Sequence, residues 1–413
     1  MINATLTPDD FTAQRLLLIP DQLLLRQGPA AGQAALVEKG RFADIGPAAE
    51  LIERYTDAAQ VRLPGAVVMP GFIDAHHHLT QAFGKALAFG EPSEIFRRIW
   101  VPLEGSLDAE LLYLASKLAA LEALRGGFTT VVDAGTRADA GLEPLMQATS
   151  EAGLRCVLGL ICNDLGGAPS DNAQSILKRA EAHLLNGSKD GLTHPSLAIS
   201  IPEAATDEML RSVAGLCREA GAIFQSHVNE HLGAVERSLI QRGLRPLEHL
   251  HAAGALGPHT LIAHATLLTS HELMVLRETD TAVAYNPVAS QWKGNAVAPA
   301  TLMQSLGIRF GLGTDGTRSD GFRLLDSAEA TQRLAYGLAA GDFSCGGGWP
   351  WLDHATAGSA EAVGLGGLTG EIAVGKAADF LIVDIDVPEF YPSRDLVWEL
   401  TRLATAIRFS ACS

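Results

Sequence analysis

The stretch VVMPGFIDAHHHL, residues 67–79, decides the fold: an apolar run that ends in Asp74, His76, His77 and His78. Upstream, over about 16–68, short apolar runs are broken by glycine, proline and charge, as in AALVEKGRFADIG, which predicts a small antiparallel β unit. Downstream the period changes. Apolar runs of strand length at 67–73, 128–132, 155–161, 196–201, 223–228, 261–265, 281–285 and 308–312 alternate with helical or loop stretches, the first of them a helix over about 108–125. Eight strands alternating with helices predict an α/β protein whose parallel sheet closes as a (β/α)8 TIM barrel. Beyond about Leu365 the chain is strand-like again (GEIAVGKAADFLIVDID), and this segment is expected to pair with the amino-terminal β unit. The predicted division is 1–66 and 365–413 as the two parts of a small composite β-sandwich domain, with 67–364 as the barrel.

Residues two apart on a strand face the same side, so His76 and His78 can converge on one metal ion while His77 points away. A polar strand end or a surface histidine cluster is the plainer alternative. The second signal is QSHVNEH at 225–231, where His227 offers a third ligand and Glu230 can reach a substrate beside the metal. LIAHATL ends the sixth strand with His264, and FGLGTDG ends the eighth with Asp315. Barrel chemistry sits at the carboxyl-terminal ends of the strands. His76, His78, His227, His264 and Asp315 all fall there, which a random scatter would rarely achieve.

Composition sets the outer bounds. The chain has 413 residues, 47% apolar and 19% charged, which excludes a disordered chain or a coiled coil. Lysine and arginine against aspartate and glutamate give 31 − 47 = −16, a charge that repels nucleic acid and anionic membrane surfaces. Five cysteines form no CxxC pair, as suits reduced thiols in a cytosol. The first residues carry an acidic pair where a signal peptide would be basic, and no uncharged apolar run reaches about 18 residues. These features predict a soluble, cytoplasmic protein with a small-molecule partner, no nucleic acid and no membrane.

PGFIDAHHH, HVNEH, the AH of LIAHA, NPVAS and GTDG, in this order, resemble the amidohydrolase superfamily. The likeness is to its branch of aminohydrolases and chlorohydrolases acting on nitrogen heterocycles, such as the guanine, 8-oxoguanine, S-adenosylhomocysteine and triazine-type enzymes. It covers nearly the whole chain, including TGEIAVGKAADFLIVD. The resemblance implies that His76, His78 and His227 are metal ligands, that Asp315 is a ligand and base, that Glu230 shuttles protons and that His264 orients or polarises the substrate. Members with two metals usually bridge them with a lysine on the fourth strand; SLAISIPE has none, so one divalent ion per chain is expected, zinc or alternatively iron. A homo-oligomer, dimer or larger, is expected. Three features depart from the family pattern: Gln291 where an asparagine is usual, the KGNAVAP loop after it, and an end at Ser413 where relatives usually add a strand pair, so the small β domain is expected to be abbreviated or the chain truncated.

A metal held by three histidines and a carboxylate leaves a position open for water and lowers its pKa from 15.7 to about 7. Asp315 would then take a proton, Glu230 protonate a ring nitrogen and His264 donate to the developing oxyanion. Gln81, Trp100, Glu104 and Glu203 sit where they could contact a heterocycle, and Ser319 and Asp320 could support the site from behind. The expected reaction is removal of an amino group as ammonia from a purine, pyrimidine or triazine, a hydrolysis of a C–N bond in a cyclic amidine. Hydrolysis of another C–N, C–halogen or guanidino bond by the same machinery is the alternative. More remote are a metallopeptidase, from the H-x-x-E-H of 227–231, and a barrel that binds without turnover.

Overall fold

The computed structural model describes residues 8–88, 91, 95–165, 172–187, 191–341, 345, 347–405 and 409–412. A first sheet begins with β1 (Arg15–Leu25), β2 (Gly28–Ala31), β3 (Gln33–Glu38), β4 (Arg41–Pro47) and β5 (Ala59–Pro70). The barrel follows as β6 (Phe72–His77), β7 (Phe128–Asp133), β8 (Arg155–Ile161), β9 (Thr193–Ala198), β10 (Phe224–Val228), β11 (Thr260–His264), β12 (Ala282–Tyr285) and β13 (Phe310–Leu312). These eight strands are parallel neighbours in chain order, with helices between most of them, as a TIM barrel requires. The chain then returns to the first sheet as β14 (Phe380–Asp384) and β15 (Phe409–Cys412).

The first sheet has the order β15-β14-β5-β1-β3-β4, with β2 on β1. The return of the chain end is as expected: β14 runs antiparallel to β5, from Phe380 opposite Pro70 to Asp384 opposite Ala66. Two details differ from the sequence reading. The amino-terminal unit is not purely antiparallel, because β1 and β5 pair in parallel. The apolar run at 67–73 is also two strands: β5 ends at Pro70 and β6 starts at Phe72. Gly71 makes the break possible, since a Cβ there would lie 2.2 Å from Thr129 Oγ1. Val68 packs with Phe380 and Ile382 in the core of the small domain, while Val67 and Met69 face the barrel's main core.

At the amino-terminal end of the barrel, Ile73, Val132, Val157, Ile223, Leu261 and Ala282 pack against Ala360, Ala362 and Val363, so that end is plugged with apolar side chains. The ring is closed between its first and last strands by Asp74. Its carboxylate accepts from Thr314 N–H at 2.9 Å and from the Thr314 hydroxyl, and His77 Nδ1 lies 3.0 Å away. His77 thus points away from the site, as alternation predicts, and Asp315 N–H donates to His76 O at 2.9 Å. Among the described residues no helix is long and apolar enough to cross a membrane.

Candidate active site

At the carboxyl-terminal end the strands stop in an unusual backbone. Asn229, His264 and Asp315 have φ of 51°, 74° and 58°, the left-handed region that non-glycine residues rarely adopt and that costs on the order of 1–3 kcal/mol. The turn at Asn229 is held by its amide donating to Glu272 Oε1 at 2.9 Å and by the Thr266 hydroxyl bonding to both Asn229 O and Glu230 O. It carries Glu230 over the barrel mouth.

The structure brings the sequence-predicted residues together. Ligand atoms of His76, His227, His264 and Asp315 all lie within 4.8 Å of one another. His78 joins through Nε2, 3.3 Å from Asp315 Oδ1 and 3.3 Å from His227 Nε2, while His76 Nε2 is 3.2 Å from the same Asp315 oxygen. His227 Nδ1 donates to Ser200 O at 2.8 Å, which leaves the Nε2 lone pair facing the cluster. Asn286 Nδ2 donates to His264 Nδ1 at 3.2 Å, which puts the proton on Nε2 and makes that atom a donor.

The donor set fits a divalent cation. His76 Nε2 and His264 Nε2 are buried with no hydrogen-bond partner, an arrangement that is costly unless something polar is held there. Burial holds His227 well below the usual histidine range, helped by the neighbouring imidazoles, and pushes His264 down to about 4, so both rings are neutral: His227 can offer a lone pair to a cation, and His264 keeps Nε2–H as a donor. Burial alone would raise Asp315, but the Lys293 ammonium and the His76 and His78 rings beside it outweigh that and keep the carboxylate ionised. Imidazole nitrogens with a carboxylate oxygen are the donors that suit a divalent metal ion.

A cavity opens directly onto the cluster, with Ile95, Phe96, Trp100, Ile201 and Trp292 among its walls. Gln81, Trp100 and Glu203 line it, the last paired with Arg237 at 3.3 Å. Glu104 does not. It is 0% exposed and stands one layer back, accepting from Thr80, Gln81 and Arg137, because a buried carboxylate needs such partners. Asp320 caps the helix Gly321–Gln332 by accepting from Arg323 N–H, and Ser319 places its carbonyl against Gly126; both shape the barrel wall. Gln291, at the departing family position, donates to Thr331 at 2.6 Å and is not among the lining residues.

Sequence reasoning missed Lys293, the first residue of KGNAVAP. Its Nζ donates to Glu230 Oε1 at 2.9 Å and to Asp315 Oδ2 at 2.7 Å. The only available signal was its place in the loop after β12. His231, the last residue of H-x-x-E-H, caps the helix Leu232–Arg242 by accepting from Ala234 N–H, while His227 is on a strand. The helix that a metallopeptidase motif needs is absent there.

Histidines from three strands and one aspartate, gathered at the carboxyl end of a parallel barrel, define a metal-dependent barrel hydrolase. The amidohydrolase family profile matches residues 67–413. The chain belongs to the amidohydrolase family. Among its relatives, a 5-methylthioadenosine/S-adenosylhomocysteine deaminase of Syntrophobacter fumaroxidans is 28% identical over 360 residues, covering 87% of this chain and 81% of the relative. A 5'-deoxyadenosine deaminase of Methanothermobacter thermautotrophicus is 28% identical over 389 residues, covering 92% and 87%. The solved adenosine deaminase of Xanthomonas campestris with bound zinc superposes with a TM-score of 0.86 at 23% identity, over 95% of this chain and 90% of that one.

Proposed function

We propose that the chain removes the exocyclic amino group of an aminopurine, carried on a nucleoside, by hydrolysis that releases ammonia. It is a metal-dependent hydrolase of C–N bonds in cyclic amidines, and the aminopurine is our choice within that class. The observation that carries the reading is that Asp315 Oδ1, 3.2 Å from His76 Nε2, and Glu230 Oε2, 3.9 Å from His264 Nε2, both stand beside the histidine cluster, onto which an aromatic-walled cavity opens. The relatives named for deamination of adenosine-type nucleosides support the choice of ring.

His76, His78, His227 and Asp315 are the ligands in this reading, holding one zinc ion per chain; β9 offers no lysine to bridge a second. When bound, a zinc ion would supply Lewis acidity, making water acidic enough to give up a proton near neutral pH. Asp315 accepts the proton that attacking water gives up. Glu230, ionised in the free site, takes the water's other proton and delivers it to the ring nitrogen next to the carbon under attack, so that electrons leave that carbon. Asp315 hands its proton to the amino group, which leaves as ammonia. His264 Nε2–H donates to the oxygen as negative charge grows on it. Trp100 and Trp292 offer flat apolar faces to a planar ring. A cytoplasmic location is the companion reading, supported by the buried thiols of Cys156, Cys162 and Cys217.

Ammonia release from zinc-loaded protein tests this across adenosine-type nucleosides, aminopyrimidines, aminotriazines and guanidino compounds. Turnover is expected with an adenosine-type nucleoside and is abolished by a chelator. Release from none of them would remove the deaminase reading, and halide release from a halotriazine would move the chain to the chlorohydrolases.

A further inference from the structure

One buried charge in the cavity has no part in the mechanism above. Lys293 ends the short helix Pro287–Lys293, and Gly294, at φ 66°, turns the chain away immediately after it. The helix is fixed on both sides: Gln291 is tied to Thr331, and Trp292 packs beside Ala88, Ile95 and Trp100. The Lys293 side chain is 14% exposed, and its ammonium lies between Glu230 and Asp315. Each carboxylate turns its other oxygen to the histidines. Asp315 Oδ1 is 3.2 Å from His76 Nε2 and 3.3 Å from His78 Nε2, and Glu230 Oε2 is 3.9 Å from His264 Nε2.

We propose that Lys293 is a positioning residue that ties Glu230 and Asp315 into one hydrogen-bonded unit, fixing which oxygen of each faces the reacting atoms. The inference rests on reading those two carboxylates as the proton-moving pair. Two carboxylates sharing a buried cavity repel one another, and without a cation between them one protonates or swings aside. A lysine suits the place because its ammonium is a compact charge with three donors, two of which are used here. The same charge opposes a divalent cation bound to Asp315, so Lys293 orients the proton carriers at some cost in metal affinity.

Lys293→Met in the zinc-loaded protein separates this role from mere structural support. The expected result is a kcat reduced by about 100-fold with KM within about threefold of wild type. Zinc affinity, measured by competition with a chelator, should rise by about threefold or more. General damage to the fold would instead loosen the metal. Should the methionine variant not fold, Lys293→Gln is measured in the same way. Unchanged kcat, a loss carried in KM, or weaker zinc binding would each overturn the proposal. If wild-type protein releases no ammonia from any heterocycle, the functional reading has failed, and the change in zinc affinity still decides whether Lys293 acts on this site.

Discussion

Asp315→Asn is expected to lower kcat by about 10³-fold or more and to weaken zinc binding together with it. Asp315 is 6% exposed, and its two oxygens have different neighbours: Oδ1 faces His76 and His78, and Oδ2 accepts from Lys293. An asparagine keeps the shape but loses the charge, so it is a poorer ligand and cannot accept a proton from water. It also leaves the Lys293 ammonium with Glu230 as its one remaining carboxylate partner, an unbalanced charge in a buried cavity. Steady-state kinetics with metal analysis checks both effects. A rate near that of wild type would remove Asp315 from the mechanism.

Glu230→Gln has an effect of similar size on rate and a different one on metal. The carboxylate is 3.9 Å from His264 Nε2 and 2.9 Å from Lys293 Nζ, beside the cluster and outside the set of atoms that could hold the ion. Burial would raise its pKa, but the Lys293 ammonium and His264 outweigh that and hold it below the usual carboxylate range, so the free site keeps Glu230 as an acceptor. A glutamine fills the same space and can neither take nor deliver a proton. The expected outcome is a kcat lowered by about 10³-fold with the full metal content of wild type. Residual activity within tenfold of wild type would show that protons travel by another route. The pair of variants is informative together, because only Asp315→Asn should move both rate and metal.

The parts of the site that sequence made legible share one physical feature. His76, His227, His264 and Asp315 each follow an apolar run that has the length and period of a buried strand, so a polar residue at its end is conspicuous. Lys293 has no such frame. It reaches the cavity from the end of a short helix in a loop, where neither period nor spacing marks its direction. Glu104 shows the converse, an acidic residue in the long stretch after the first barrel strand whose charge suggested a substrate contact. Its burial among Thr80, Gln81 and Arg137 depends on three segments meeting in space.

The fold was readable to a similar depth. Strand identity and order followed from alternation of apolar runs with helices, since most residues of the barrel strands are buried whichever face they point to. The division at Gly71 was not readable, because the residues on both sides of it are apolar and only the close approach of Thr129 requires the glycine. Nor was the parallel pairing of β1 with β5, since alternation records which face of a strand is buried and carries no record of its neighbour's direction.

The central claim is that strand-end histidines and Asp315 form one metal-centred hydrolytic site. Crystals of the zinc-loaded protein, measured on both sides of the zinc absorption edge, test it most directly. The account predicts a single anomalous peak per chain, bounded by His76, His78, His227 and Asp315, with His264 beside it. A peak elsewhere in the chain, or none at this cluster in protein that retains zinc, would contradict it.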